Sequence, residues 1–538
     1  MSLRETLFQR LDEAEFDVVV VGGGINGAVT ASCLATRGAR VVLIDRGDFA
    51  GFTSQASSNL AWGGIKYLES YELGLVRKLC VSRNHLIASY PSTVKEIRFF
   101  VTHETSFRHA RWFLFLGALF YWLIGGFFTR RPRLLSVADV AREESVVRTD
   151  GTDGGFEYSD AYLHDNDARF VWSFIRGALD HGCVALNYVE SSKPEKTPEG
   201  WKIELRDVLS DRTRTIECKA LVNAAGPYVD EHNALSKTKT THRHVFSKGI
   251  HLIVPRLTKS RRVLTFFADD GRLFFVIPMG PRTCVGTTDT RVDRPEAFVT
   301  DDDRAFVLDN INSRLKLEKP LEKRDIISER CGVRPLVVEG GGSGSSDWMH
   351  LSRKHAVEVD VARAHVSIFG GKLTDCLNVG EEVAALMPSL GVTLPHPKQR
   401  WYGEPARDVS GAFFHQAKLL NLDAFTATTA SEPISKRLWR RYGIDAFAML
   451  DEIRADHREA DQLIIGAEYL RCEIRYAARH EMVAKLDDFL RRRSKIAMVM
   501  ADAELRHTEG LREACRIFFG EEADARFDEY FRVRDSLP

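Results

Sequence analysis

No excess of either charge sign marks this chain: 75 Lys and Arg stand against 75 Asp and Glu, so the formal net charge is zero with His neutral. That balance removes the electrostatic footprint of a bulk nucleic-acid binder. The nine cysteines include no Cys-x-x-Cys pair and no Cys/His spacing suited to a metal. A zinc module is therefore not expected, and the thiols read as reduced, in a protein of the cytosolic side. The opening Met-Ser-Leu-Arg-Glu-Thr-Leu-Phe lacks the apolar core of a signal peptide. No internal repeat is evident. At 538 residues the chain is too long for one core, so two or three structural units are expected.

What is present begins at residue 16. Val18–Val21 is an apolar run that reads as a buried parallel strand, and Gly22-Gly23-Gly24-Ile25-Asn26-Gly27 follows it directly. Gly22 suits the tight turn, Gly24 a close backbone approach to a pyrophosphate, and Gly27 close packing of the next helix on the strand. A second apolar strand, Val41–Ile44, ends in Asp45-Arg46, with Asp45 placed to accept from a ribose. Strand, glycines, helix, strand and terminal acid in one unit are a dinucleotide fingerprint. Small residues recur after another short strand, in Asn223-Ala224-Ala225-Gly226-Pro227, and again in Gly370-Gly371-Lys372-Leu373-Thr374 at the start of a helix.

Trp112–Phe128 carries no charge over seventeen residues and is flanked by Arg108, Arg111, Arg130, Arg131 and Arg133. It is at the short limit for a bilayer span, so a buried helix, a helix dipping into one leaflet and a true span all compete. Peripheral or monotopic membrane association is predicted.

The pattern of elements predicts an α/β fold: a discontinuous Rossmann-like nucleotide domain, an inserted antiparallel sheet and a C-terminal helical domain. The boundaries read as 1–75, 151–239 and 347–395 for the nucleotide domain. A mostly helical, membrane-proximal segment covers 76–150, the inserted sheet 240–346, and the helical domain 396–538. Ser435 and Asp451 read as helix caps in the last of these. Arg491-Arg492-Arg493 reads as a solvated helix face paired with Asp487 and Asp488.

Several spaced segments point one way. They are Gly22–Gly27, Thr53-Ser54-Gln55-Ala56-Ser57-Ser58, Gly63-Gly64-Ile65-Lys66-Tyr67, Asn223–Pro227, Lys248-Gly249-Ile250-His251, Gly332-Val333-Arg334-Pro335-Leu336 and Phe369–Thr374. The chain resembles the FAD-dependent glycerol-3-phosphate dehydrogenases over nearly its whole length. The resemblance implies noncovalent FAD, oxidation of sn-glycerol 3-phosphate to dihydroxyacetone phosphate by hydride transfer to flavin N5, and electron delivery to quinone. The setting implied is the cytoplasmic side of the inner membrane, with a homodimer left open.

The resemblance also maps roles. His251, Arg334 and Lys372 would be catalytic, and Lys66, Tyr67, Arg272 and Arg353 would hold the phosphorylated alcohol. Thr53, Ser54, Ser57, Ser58, Trp62, Gly63, Gly64, Ala225, Gly226, Gly371, Leu373 and Thr374 would join the fingerprint residues around the cofactor. The chain departs from the family where a histidine becomes Trp62, an arginine becomes Lys66, and Thr-Tyr-Arg becomes Asp375-Cys376-Leu377. Lys keeps a charge but loses the bidentate fork. Two alternatives follow: an FAD enzyme for another anionic 2-hydroxy acid or amine, and a flavin-binding scaffold or sensor without turnover.

Overall fold

A computed structural model describes residues 2–12, 15–267, 272–340, 354–428 and 430–536. Two sheets organise it. In the first, Val41–Asp45, Phe16–Val21, Thr213–Asn223 and His365–Phe369 lie side by side in parallel, with Val184–Asn187 beyond Val41–Asp45 and the antiparallel Ala356–Asp360 at the other edge. Every residue of Phe16–Val21 and Val41–Asp45 is buried. Both faces of a parallel sheet are covered, so such strands are apolar throughout instead of alternating. The helices Asp167–Asp180, Ile25–Thr36 and Cys376–Leu386 pack side by side and cover one of those faces.

The second sheet has ten strands. His242–Pro255 is its spine, paired along twelve positions with Ser328–Glu339 and also with Arg282–Gly286 and Thr290–Val292. The α/β class, the inserted sheet and the helical C-terminal part are as expected, but the sheet reaches well outside 240–346. Val94–Glu104 and Thr152–Leu163 pair antiparallel over its far half, and Val263–Phe267 joins Val94–Glu104 in parallel. The segment 76–150 is therefore not mostly helical. Val94–Glu104 mixes Lys95, Glu96 and Arg98 with buried residues in its first half and is buried from Phe99 to His103, and the charged start resembles a polar helix in sequence.

The C-terminal part, from Arg407 onward, is helical. Ser435 and Asp451 are not caps. Ser435 lies inside the helix Ile434–Tyr442, where its hydroxyl donates to Asp423, and Asp451 lies inside Ala446–Ala455.

The basic run is not a solvated face either. Asp488–Arg493 forms a π-helical turn in which Arg492 and Arg493 are buried. Arg492 does pair with Asp487 and Asp488, but both arginines also reach Asp48, on the loop after the second fingerprint strand. Arg493 is bidentate to Asp48 at 2.8 Å, and Asn187 donates to the same carboxylate at 2.8 Å. Burial alone would raise the Asp48 carboxyl, yet Arg493 and Arg492 hold it below the usual range.

Arg111–Ile124 forms a helix within the uncharged segment. Trp112, Phe113, Leu116, Phe120 and Leu123 are exposed, with Phe127 and Phe128 just beyond, whereas Ala118 and Tyr121 face inward. No helix among the described residues is long and apolar enough to cross a membrane.

Candidate active site

The fingerprint turn is built on contacts that only glycine permits. Gly22 has φ +103°, and a Cβ there would lie 2.4 Å from the Ala224 carbonyl oxygen. A Cβ on Gly27 would lie 1.7 Å from the Gly22 carbonyl oxygen. The turn thus locks the first helix, the first strand and the Ala224-Ala225-Gly226 segment together. Gly24 caps the helix Ile25–Thr36 without a side chain, so its N-terminal dipole is presented to an anion. Ser54 Oγ accepts from the Ile25 N–H at 3.0 Å, and Thr53 Oγ1 donates to the Val333 carbonyl at 2.7 Å. The Ser57 N–H donates to Asp167 at 2.8 Å, and Ser58 is half-buried on the same loop.

Asp45 does more than wait for a ribose. Its carboxylate accepts from the Gly23 N–H at 2.7 Å and the Gly47 N–H at 2.8 Å. Burial pushes its carboxyl up to about 6 against these two donors. A ribose hydroxyl would share a carboxylate that already closes the turn. Arg46 stacks 3.7 Å from the Tyr228 ring centroid and pairs with Glu231 at 3.5 Å.

Asn26 Nδ2 donates to the Gly370 carbonyl at 2.9 Å, which brings the Gly370-Gly371 turn onto the fingerprint helix across 344 residues of sequence. Gly371 has φ +113°, and a Cβ there would sit 3.2 Å from Asn26 Oδ1. Thr374 Oγ1 donates to the Trp62 carbonyl at 3.1 Å, so the third nucleotide segment also grips the Gly63-Gly64 loop. Leu373 opens the short 3-10 turn before the helix Cys376–Leu386. Lys372 donates to the Tyr67 hydroxyl at 2.7 Å.

Beside these residues lies a cavity of about 290 Å³. Trp62, Lys66, Tyr67, Arg272 and Arg334 line it, as the sequence placed them together. Thr287, Asp289, Glu69, Ser70, Glu72 and Arg108 line it as well, and sequence reasoning missed them. Asp289 accepts from Arg334 Nη1 at 3.2 Å and from Ser247, while its carbonyl accepts from Arg272 at 3.2 Å. It therefore aims both arginines. An acid in the Thr287-Thr288-Asp289-Thr290 turn, at the end of a predicted strand, was the available signal. Arg334 crosses the neighbouring strand over Gly249, where a Cβ would lie 2.1 Å from its Nη2.

His251 is not a lining residue. It lies behind the cavity edge, 2.9 Å from where a Cβ on Gly286 would sit. Neither ring nitrogen has a hydrogen-bond partner among the described residues. Burial, reinforced by Arg330 and Arg334, pushes its pKa down to about 3, so the imidazole is neutral at pH 7. Arg353 lies outside the described residues, as does the stretch 341–346.

The Asp375 departure has a structural account. Its carboxylate accepts from Ser82 Oγ at 2.8 Å and Asn378 at 2.6 Å, and pairs with His355 at 3.1 Å and Lys78 at 3.2 Å. Burial opposes ionisation, but these partners bring its pKa down to about 2. The acid is satisfied behind Lys372 and does not line the Lys66–Arg334 cavity.

Residues 17–352 match the family model described as FAD dependent oxidoreductase, and residues 408–517 match the C-terminal domain of alpha-glycerophosphate oxidase. The chain is 29% identical to a glycerol-3-phosphate dehydrogenase of Pseudomonas aeruginosa, over 91% of this chain and 93% of that protein. A glycerol-3-phosphate dehydrogenase of Bacillus halodurans solved with FAD superposes with a TM-score of 0.71 at 25% identity, covering 98% of this chain and 96% of that one. The chain belongs to the FAD-dependent glycerol-3-phosphate dehydrogenase family. Within that family it is also 30% identical to D-erythritol 1-phosphate dehydrogenase of Brucella abortus, over 91% of this chain and 96% of that protein.

FAD is the cofactor, and the residues present fit it. The uncapped helix start at Gly24 follows the close-packed Gly22 turn, and Asn26 Oδ1 on the same helix is buried with no hydrogen-bond partner among the described residues, open to a donor on a bound group.

Proposed function

We propose that this dehydrogenase oxidises the secondary alcohol of a phosphorylated polyol, sn-glycerol 3-phosphate in the first place, and passes the electrons to quinone at the membrane. The observation that carries this reading is the shared cavity of Lys66, Tyr67, Arg272 and Arg334 beside Trp62. Arg272 and Lys66 bring charge to a phosphate, and Arg is the better fork for it. Arg334, aimed by Asp289, polarises the hydroxyl. His251, neutral and set behind the cavity edge beside Arg334, is the proposed acceptor of the hydroxyl proton once substrate is seated. Lys372 on Tyr67 adds positive charge next to the cofactor loop. Bound FAD supplies the hydride acceptor.

The lining carboxylates Glu69 and Glu72, with Ser70, favour a second reading of the substrate. These are acceptors for further hydroxyls, and the erythritol phosphate relative makes a four-carbon polyol phosphate the competing candidate. The exposed apolar face of Arg111–Ile124, with exposed Arg130 and Arg131 after it, supports peripheral docking on anionic lipid at the cytoplasmic face. Homodimerisation remains part of this proposal.

Anaerobic titration with glycerol 3-phosphate and with erythritol 1-phosphate tests the substrate. Bleaching of the flavin absorbance by one of them at sub-millimolar concentration is expected. An unchanged spectrum at millimolar levels of both would reject the substrate class.

A further inference from the structure

The strand His365–Phe369 gives way at Gly370 to the turn that carries Lys372. Side chains from two distant segments take up both backbone polar groups of Gly370. Its N–H donates to His244 Nε2 at 3.0 Å, and its carbonyl accepts from Asn26 Nδ2 at 2.9 Å. Gly370 has φ +60°, and a Cβ there would lie 2.5 Å from Val337 Cγ2. Val337 is the cross-strand partner of His244 in the second sheet. The turn is therefore pressed against that sheet as well as bonded to it.

The far side of the His244 ring decides which nitrogen accepts. Asp230 Oδ2 accepts the His244 backbone N–H at 3.0 Å and lies 3.5 Å from its Nδ1. A proton on Nδ1 faces that carboxylate, which leaves Nε2 with a lone pair for the Gly370 N–H. The Phe369 ring packs against the imidazole at 5.2 Å between centroids. Burial brings the His244 pKa down to about 4, so the accepting form prevails at pH 7. Gly371, at φ +113°, brings no side chain of its own to lock the turn, so the bonds at Gly370 set where Lys372 starts. Lys372 then donates to the Tyr67 hydroxyl and stands 3.9 Å from the centre of that ring, on the wall of the Lys66–Arg334 cavity.

We propose that His244 is a positioning residue for the oxidation: its Nε2 anchors the Gly370 amide and so fixes Lys372 beside the cofactor. The inference rests on the role given to Lys372 above. His244 does not line the cavity and acts through the turn. It sits in His242-Arg243-His244, before the Lys248–His251 segment, where no motif singles it out.

The test uses the full-length holoenzyme: wild type, His244→Asn, His244→Gln, Lys372→Met, and His244→Asn combined with Lys372→Met. Photoreduction against a reference dye gives the midpoint potential of bound FAD, and initial rates with glycerol 3-phosphate give kcat and KM. Asn keeps a group facing Asp230 but none at the Nε2 position, whereas Gln places an amide oxygen within reach of the Gly370 N–H. His244→Asn should shift the midpoint in the negative direction, as Lys372→Met does. It should also lower kcat about tenfold or more, with KM changed less than about twofold. His244→Gln should recover most of both losses. In the Lys372→Met background His244→Asn should add little, because both act on one group. His244→Phe, which keeps the packing on Phe369 and offers no acceptor, should repeat the loss and carries the test if His244→Asn does not fold. An equal effect of His244→Asn with and without Lys372 would overturn the inference, as would a lowered Tm with unchanged midpoint and kcat. A midpoint unmoved by Lys372→Met would remove the role of Lys372 and this inference with it. The midpoint needs no substrate, so it decides the matter even where neither polyol phosphate bleaches the flavin.

Discussion

His251 shows how a residue expected from family likeness acquires a physical identity. The sequence places it on a strand beside Gly249; the fold buries it against Arg330 and Arg334 and leaves both ring nitrogens unpartnered among the described residues. Its folded pKa of about 3 lies below the unfolded value of ~6.5. Between those values the unfolded chain binds a proton that the folded chain refuses, so stability is present above about pH 6.5 and is lost as pH falls toward 3. His251→Gln should shrink the difference in unfolding free energy between pH 4.5 and 7.5 by about 2 kcal/mol, measured by urea denaturation at both values. The same variant should lower kcat by a factor of about 100 or more; wild-type turnover would remove the imidazole from the reaction. At Lys66 the expected gain runs the other way. Lys66→Arg restores a fork for phosphate and should lower KM severalfold with kcat little changed, read from initial rates. Asp289 and Asp375 were not legible as they are. One aims two arginines and the other closes a knot with His355 and Lys78, and each depends on partners dozens or hundreds of residues away.

Among elements, the fingerprint unit was legible because its constraints are local. Strand, turn, helix and strand span a few dozen residues, and each glycine answers to a neighbour in the same unit or to the Ala224 segment. Gly27→Ala forces a Cβ to 1.7 Å from the Gly22 carbonyl oxygen and must push the helix off the strand. The variant should fold without flavin, and an absorbance spectrum of the purified protein shows it; normal FAD content would mean that the turn has slack. Val94–Glu104 was not legible, since a strand with charged residues at its start shares its composition there with a surface helix. The sequence left the apolar segment between a buried helix, a helix dipping into one leaflet and a span; no helix among the described residues is long enough to cross, and only packing could tell which of its faces is inward. Tyr121 declares that face, because its hydroxyl needs the buried carboxylate of Asp160.

At the scale of the whole molecule, the first and last parts of the chain are riveted together by charge. Asp48 is enclosed by Arg492, Arg493 and Asn187, and Tyr188 donates to Asp488 at 2.6 Å in the same cluster. Arg493→Ala leaves an inadequately compensated buried carboxylate and should cost about 3–5 kcal/mol. Chemical denaturation measures the loss, and limited proteolysis should cut first in the C-terminal helices. Arg491–Arg493 looked like a solvated run because pairing with Asp487 and Asp488 is all that a local reading offers, and the partner that decides burial is 444 residues away. The same rivet dictates an order of events during synthesis. The loop carrying Asp48 leaves the ribosome early, whereas both guanidinium groups that neutralise it emerge among the final helices. A nascent chain therefore carries the Asp48 carboxylate without its guanidinium partners until the final helices have emerged.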